Sequence, residues 1–376
     1  MTALKIVSLF DGISCGRVAL DRAGYAVSSY VAFEIDKYAR SISRYNYPGI
    51  EHCGDVLDAD FTQYAGYDIV MGGSPCTFWS IAKGADREMD KNGMGWKLFA
   101  RFIDAIREIQ PRYYIYENVA SMPKTIRQYI SEEFGCEPIL INSALVSAQH
   151  RKRLYWTNIP NITQPEDRGV LLRDILESGL AFQNKSHCIT ATYARAEFRN
   201  TLERKQRTMV AEEVGAALRT HTDESGKFKR LEVRKDNKLN ALTTVQTDSV
   251  VCSPVRVGVI GSGGVGNRIY SVHGKTVTLM AKGGGRGAKT GLYKIDLPDG
   301  DYAIRKLTPV EAERCQTLPD NYTALGVDDT GKTVNISNTQ RYKAIGNGWT
   351  VDVIAHMLRK MEFFGGSKYG LCTRAA

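Results

Sequence analysis

Lys5-Ile6-Val7-Ser8-Leu9-Phe10-Asp11-Gly12-Ile13-Ser14-Cys15-Gly16 is the stretch that decides the fold: an apolar, strand-forming run enters an Asp-Gly turn, and a second glycine four positions on opens a helical segment. In a sheet of parallel strands crossed by helices, such a turn brings backbone N–H groups and a helix N-terminus to a ligand. Glu34 ends the next apolar run, Tyr30–Glu34, where a carboxylate can grip two ribose hydroxyls. The glycine spacing is G-x-x-x-G, without the glycine that admits a pyrophosphate, so an adenosine lacking phosphates fits better. Asp55, in Gly54-Asp55-Val56, adds an acceptor for an adenine amino group.

Outward from this turn, Asp68–Gly72, Tyr113–Val119 and Glu137–Asn142 read as further strands. Between them Phe99, Phe102, Ile103, Ile106 and Ile109 share one helical face, with Arg101, Asp104, Arg107 and Glu108 opposite. The alternation predicts a doubly wound, mostly parallel α/β body over residues 1–165, with ligands at the carboxyl ends of the strands. Residues 166–304 break the alternation with a charged stretch, glycine clusters and three β-prone threonine phrases: Ile189-Thr190-Ala191-Thr192, Leu242-Thr243-Thr244-Val245 and Val277-Thr278-Leu279-Met280. They read as a smaller β-rich insert. Residues 305–376 then return to the body, with a helix starting at Pro309 and a final amphipathic helix over Val351–Glu362.

A length of 376 residues allows two or three domains, and 43% hydrophobic with 24% charged residues excludes wholesale disorder and fibrous repeats. The apolar runs are far shorter than the roughly 18 residues a spanning helix needs, and Ile6–Phe10 is too short for a signal peptide core. Eight cysteines without a C-x-x-C pair predict no metal knuckle, no disulfide framework and a cytoplasmic setting. Net charge is +9, and residues 166–300 hold 22 basic against 15 acidic side chains, so the excess sits mainly in the insert. A basic module beside a neutral one is suited to a polyanion.

The chemistry-bearing residues follow the strands. Gly72-Gly73-Ser74-Pro75-Cys76 places a cysteine at a rigid strand end, as a nucleophile requires. Glu117-Asn118-Val119 ends an apolar strand, where a carboxyl group can be tuned to donate a proton near neutrality. Gln149-His150-Arg151-Lys152-Arg153, if extended, projects residues 149, 151 and 153 to one face. The segment Thr77–Trp96, with Gly84, Gly93 and Gly95 as hinges, is expected to be a closing loop. Gly261-Ser262-Gly263-Gly264-Val265-Gly266 matches a nucleotide fingerprint by letter but lacks strand–helix context and reads as a loop.

In this order the motifs resemble the cytosine-5 DNA methyltransferase family. Phe10, Gly12 and Gly16 look like its cofactor turn, Pro75-Cys76 its nucleophile loop, Glu117-Asn118-Val119 its E-N-V and Gln149, Arg151 and Arg153 its Q-x-R-x-R. Arg305-Lys306-Leu307-Thr308-Pro309 through Glu311, Ala312, Arg314 and Gln316 is similar to its penultimate block, and Arg341 through Gly348 to its last. The Leu-Phe-Asp-Gly and Gly-Gly-Ser-Pro-Cys phrases are shared with phage enzymes and the animal de novo branch, and the short N-terminus favours a bacterial or phage origin. Two departures stand out: Ile35 replaces a tryptophan common against adenine, and Thr77-Phe78-Trp79 replaces a frequent Gln-x-Phe.

The resemblance implies a Rossmann-like methyltransferase fold with a target-recognition domain over 166–304, and methyl transfer from S-adenosyl-L-methionine to carbon 5 of cytosine in duplex DNA. Cys76 would add to carbon 6 of a flipped base, Glu117 would act at nitrogen 3, Arg153 with Arg151 would hold the carbonyl oxygen, and Asn118 would anchor the Glu117 loop. Cofactor contacts are implied for Phe10, Gly12, Ile13, Gly16, Glu34, Ile35, Asp55, Val56, Pro75, Leu98, Asn347 and Gly348. DNA contacts are expected from Ser80, Gln149, Arg268, Lys282 and Arg286. A monomer on DNA, with a cognate restriction endonuclease as a further partner, completes the expectation. A tRNA cytosine-5 methyltransferase, a catalytically inactive DNA-binding regulator and a nicotinamide-dependent oxidoreductase are the competing readings.

Overall fold

The first strand, β1 (Leu4–Leu9), is buried everywhere but at Lys5, and its successive side chains divide between two cores. Leu4 and Ile6 face one side, Val7 and Leu9 the other, because side chains alternate along a strand. The structure is a computed structural model. It describes residues 3–79, 88, 92–181, 183–196, 207–213, 216–223, 226–233, 256–259, 268–270, 292–293 and 302–362.

Six more strands join β1: β2 (Val27–Phe33), β3 (Glu51–His52), β4 (Ile69–Gly72), β5 (Tyr113–Val119), β6 (Ile139–Asn142) and β7 (Lys152–Thr157), in the order β3-β2-β1-β4-β5-β7-β6. All pairings are parallel except those of β7, which runs antiparallel to β5 and β6. The mostly parallel sheet is as expected, and the order reverses beside β1, where doubly wound sheets open a ligand crevice.

Helices cover both faces. On one side α1 (Cys15–Ala23) packs with the chain's return, while α3 (Met94–Ile109) and α4 (Lys124–Phe134) cover the other; α2 (Lys37–Asn46) follows β2. The return supplies α5 (Pro309–Cys315), α6 (Asn338–Asn347) and α7 (Val351–Leu358). The expected amphipathic final helix differs from what is found: α7 stops at Leu358 and is buried on nearly every side, packed on α1 with Asp352 paired to Arg22 at 2.7 Å. A helix apolar all round belongs inside a core.

Between α5 and α6, Glu313 is fully buried, pairs with Arg341 at 2.9 Å and accepts the backbone N–H groups of Asn321 and Thr323. Removing one member of such a pair strands the other charge, so Glu313→Ala is expected to cost about 3–5 kcal/mol. Urea unfolding of the two proteins checks this.

The chain divides into two compact units: Met1–Leu171 with Cys188–Ala194 and Pro309–Ala376, and Leu172–His187 with Arg195–Thr308. The second unit is built from short strands, among them the antiparallel set Leu180–Ala181, Met209–Glu213 and Tyr302–Lys306, and the hairpin Ala216–Asp223 with Gly226–Val233. Ile189-Thr190-Ala191-Thr192 is not the strand expected of it: it forms a turn and belongs to the first unit. The phrases at 242–245 and 277–280 and the glycine run at 261–266 lie outside the described residues. Among the described residues no helix is long and apolar enough to cross a membrane.

Candidate active site

The carboxyl ends of β1, β2, β4 and β5 open into one cavity of about 280 Å³. At its β1–β2 end, Phe10 and Ser14 take positive φ (57° and 60°), backbone strain of the kind that gathers at functional sites, and Gly12 between them turns at 64°. The Glu34 carboxylate ties this turn down, accepting the N–H of Gly12 (2.8 Å) and of Asp36 (2.7 Å). Burial pushes the Glu34 pKa up, those two N–H donors pull it down, and the neighbouring Asp11 and Asp36 charges add to the rise. Beneath it Asp11, also raised by burial, accepts the Tyr30 hydroxyl at 2.7 Å.

An adenosine group fits this end. Glu34 and Asp55 supply acceptors, and Ile35 leaves 68% of its surface open on the cavity wall, an apolar face for a base to cover. Asp55 spends one oxygen capping Leu57 N–H at 2.9 Å, which leaves a carboxylate further acceptor capacity. Phe10, Gly12, Gly16, Val56, Pro75, Leu98, Asn347 and Gly348 also line the cavity. Ile13 does not: it is fully buried beneath the turn, its carbonyl accepting the Tyr322 hydroxyl.

At the other end Cys76 begins a short 3-10 turn after β4. The glycines before it allow the close approach: a Cβ on Gly72 would lie 2.3 Å from Leu9 O, and one on Gly73 would lie 2.7 Å from Glu117 O. Glu117, on β5, meets Arg153 Nε from β7 at 2.8 Å through Oε1 and receives the Trp349 indole N–H on Oε2 at 3.0 Å. Asn118 turns the other way, its amide donating to Ser74 O and to the Tyr116 hydroxyl, both at 3.3 Å, so β5 is tied to the loop that carries Cys76.

Burial pushes the Cys76 thiol up; the Arg153 charge pulls it down, Glu117 opposes, and Arg151 pulls down again. The net direction is upward, which favours the neutral Cys76 thiol in the free protein. Its alkylation by iodoacetamide is therefore expected to keep accelerating with pH beyond the range of an ordinary thiol, roughly 8.5. A plateau below that range, mapped to the Cys76 peptide, would contradict it.

The five-residue run 149–153 is only partly what was expected. Its alternation holds, but Gln149 does not face DNA: it is fully buried, donates to Gln316 Oε1 at 2.9 Å and accepts Ile189 N–H at 3.1 Å. Arg151 is 4% exposed, and its guanidinium is spent on Ile189 O (3.0 Å), Gly346 O (3.2 Å), Gly348 O (2.9 Å) and Cys188 Sγ (3.3 Å). It clamps the Gly346–Gly348 turn and is itself among the residues lining the cavity. Gly95, expected as a hinge, sits buried in the first turn of α3.

Ser80, Lys282 and Arg286 lie outside the described residues, and of Arg268 only the backbone, in a strand of the second unit, is described. Two neighbours of the site carried no sequence signal of their own. Trp349 is one; Cys188 is the other. Burial raises the Cys188 thiol, but the charges of Arg151 and Arg153 outweigh it and hold the group below its ordinary value.

A strand-end cysteine, a carboxylate bridged to an arginine, and the Glu34, Ile35 and Asp55 side chains line one cavity. The family model of C-5 cytosine-specific DNA methylases matches residues 4–362, and the chain belongs to that family, whose enzymes use S-adenosyl-L-methionine to methylate carbon 5 of cytosine. It is similar to the type II methyltransferase M.HhaI of Haemophilus parahaemolyticus, 26% identical over 357 residues that cover 95% of this chain and 94% of the relative. It also resembles the orphan methyltransferase M.SPRI of Bacillus phage SPR, 23% identical over an alignment of 451 positions, gaps included, that covers 96% of this chain and 98% of the relative. Among solved structures, the Entamoeba histolytica methyltransferase EhMeth superimposes with a TM-score of 0.57 at 13% identity over 96% of this chain and 98% of that one. A DNMT2 triple mutant from Spodoptera frugiperda gives 0.54 at 15%, over 95% and 99%. These two likenesses concern the fold.

Proposed function

We propose that this chain methylates cytosine in a specific duplex DNA sequence through a covalent adduct of Cys76. The observation that carries the reading is the meeting of Cys76, Glu117 and Arg153 in the cavity that also holds Glu34, Ile35 and Asp55. Cytosine is a poor nucleophile at carbon 5. Cys76 gives up its thiol proton to solvent and the resulting thiolate forms a bond to carbon 6, the electron pair of the 5,6 double bond passes to the ring, and Glu117 supplies the proton or hydrogen bond at nitrogen 3. Arg153 holds Glu117 in place and offers its guanidinium to the base's carbonyl oxygen, where negative charge develops. When bound, S-adenosyl-L-methionine supplies an electrophilic methyl group. Loss of the carbon 5 proton to solvent water then leaves its electron pair to restore the 5,6 double bond as the carbon 6–sulfur bond breaks and Cys76 departs as thiolate.

A cytosine inside a duplex is out of reach of Cys76, so the base leaves the stack, at a cost of a few kcal/mol. The basic second unit is assigned to phosphate and groove contacts, with the chain acting as a monomer. The names type II and orphan carried by its relatives support a self-marking role. Bisulfite sequencing of DNA from cells expressing the wild-type chain and Cys76→Ala tests the reading. One recurring sequence should be protected from conversion in the first and none in the second. Methyl transfer to tRNA but not to DNA would overturn the choice of substrate.

A further inference from the structure

Trp349 joins the two ends of the cavity. Its indole N–H reaches Glu117 Oε2 at 3.0 Å while Arg153 Nε meets Oε1 at 2.8 Å, so each carboxylate oxygen has its own donor. On the far side the ring rests on α1: a Cβ added to Gly16 would lie 3.7 Å from Trp349 Cζ3, and the Trp349 backbone N–H donates to the Cys15 sulfur. The peptide before it is held as well, since Arg151 takes the carbonyls of Gly346 and Gly348. Oε2 is bounded below by Gly73, where a Cβ would come within 3.0 Å of it. The polar handle of this ring is aimed at the one carboxylate of the reacting end.

We propose that Trp349 is a positioning residue for Glu117. Its N–H fixes the carboxyl rotamer, and the same ring ties that rotamer to the first turn of α1. The proposal rests on the methyl-transfer reading and adds a route by which the cofactor end orients the acid.

The test uses a reaction that needs no methyl donor. Reversible addition of Cys76 to carbon 6 makes carbon 5 take up a solvent proton; loss of its original hydrogen and departure of the sulfur complete an exchange that reads Cys76, Glu117 and Arg153 without the methyl donor. Trp349→Phe is expected to slow both this exchange and methyl transfer about 10- to 100-fold, as loss of one hydrogen bond to a charged group does. KM for DNA and the dissociation constant of S-adenosylhomocysteine, measured by calorimetry, should stay within about threefold, because the ring is kept. In a Glu117→Gln background the same change should add less than about twofold.

An unchanged exchange rate in Trp349→Phe overturns the proposal. So does a loss confined to cofactor affinity, a fully additive loss in the double variant, or a fall in rate that only follows loss of folded protein in thermal melts. If the wild-type chain neither exchanges nor methylates cytosine, the functional reading fails and the proposal with it. Wild-type activity beside an unaffected variant defeats the proposal alone.

Discussion

Cys76→Ala is expected to lower methyl transfer by about 10⁴-fold or more, the scale on which removing a covalent nucleophile acts. The change deletes one sulfur from a turn whose shape is set elsewhere. Gly72 and Gly73 seat the loop on β1 and β5, Asn118 holds Ser74, and Ser74 bonds the Tyr116 hydroxyl at 2.6 Å. The cavity should therefore keep its form. Binding of S-adenosylhomocysteine and of duplex DNA is expected to be retained, which separates lost chemistry from a lost fold. Single-turnover transfer with both binding constants measures it, and a variant that still turns over would exclude the covalent route.

The second large effect sets two arginines two residues apart against each other. Arg151→Ala removes the donors to the carbonyls of Ile189, Gly346 and Gly348, all within a buried region, and is expected to destabilise the fold by about 3–5 kcal/mol. Against a total of roughly 5–15 kcal/mol that is severe. Arg153→Ala loses a side chain that lines the cavity and leans on Glu117, so the fold should survive while transfer falls about 10²- to 10³-fold, the usual effect of removing one donor from a site of developing charge. Urea midpoints and single-turnover rates of the two variants, taken together, decide the matter. Equal losses of stability would place both arginines in the scaffold.

How much of this is legible in the sequence depends on where each signal comes from. The β1 turn is legible because one strand, two glycines and a later carboxylate lie within a few dozen residues, and local periodicity reports them. The strand β3, two residues long, has no periodicity to read. In the run 149–153 alternation puts residues 149, 151 and 153 on one face, yet it cannot say which of them is sealed. The groups that seal Gln149 and Arg151 arrive from Ile189, Gln316, Gly346 and Gly348, far along the chain. Trp349 and Cys188 are invisible for the same reason: each matters through a partner that only tertiary folding supplies. The final helix misled in the opposite direction, since a surface is inferred from polar residues while α7 satisfies Asp352 inside the fold through Arg22 and Arg168.

The mechanism depends on the Cys76 sulfur bonding to carbon 6 of the target base. Mass spectrometry of the chain after incubation with S-adenosyl-L-methionine and duplex DNA carrying 5-fluorocytosine at the methylated position tests this most directly. Fluorine at carbon 5 cannot leave as a proton does, so the adduct should persist and map, with its added methyl group, to the peptide containing Cys76. Methylation of ordinary DNA with no trapped adduct, or an adduct on Cys188 in place of Cys76, would contradict the account.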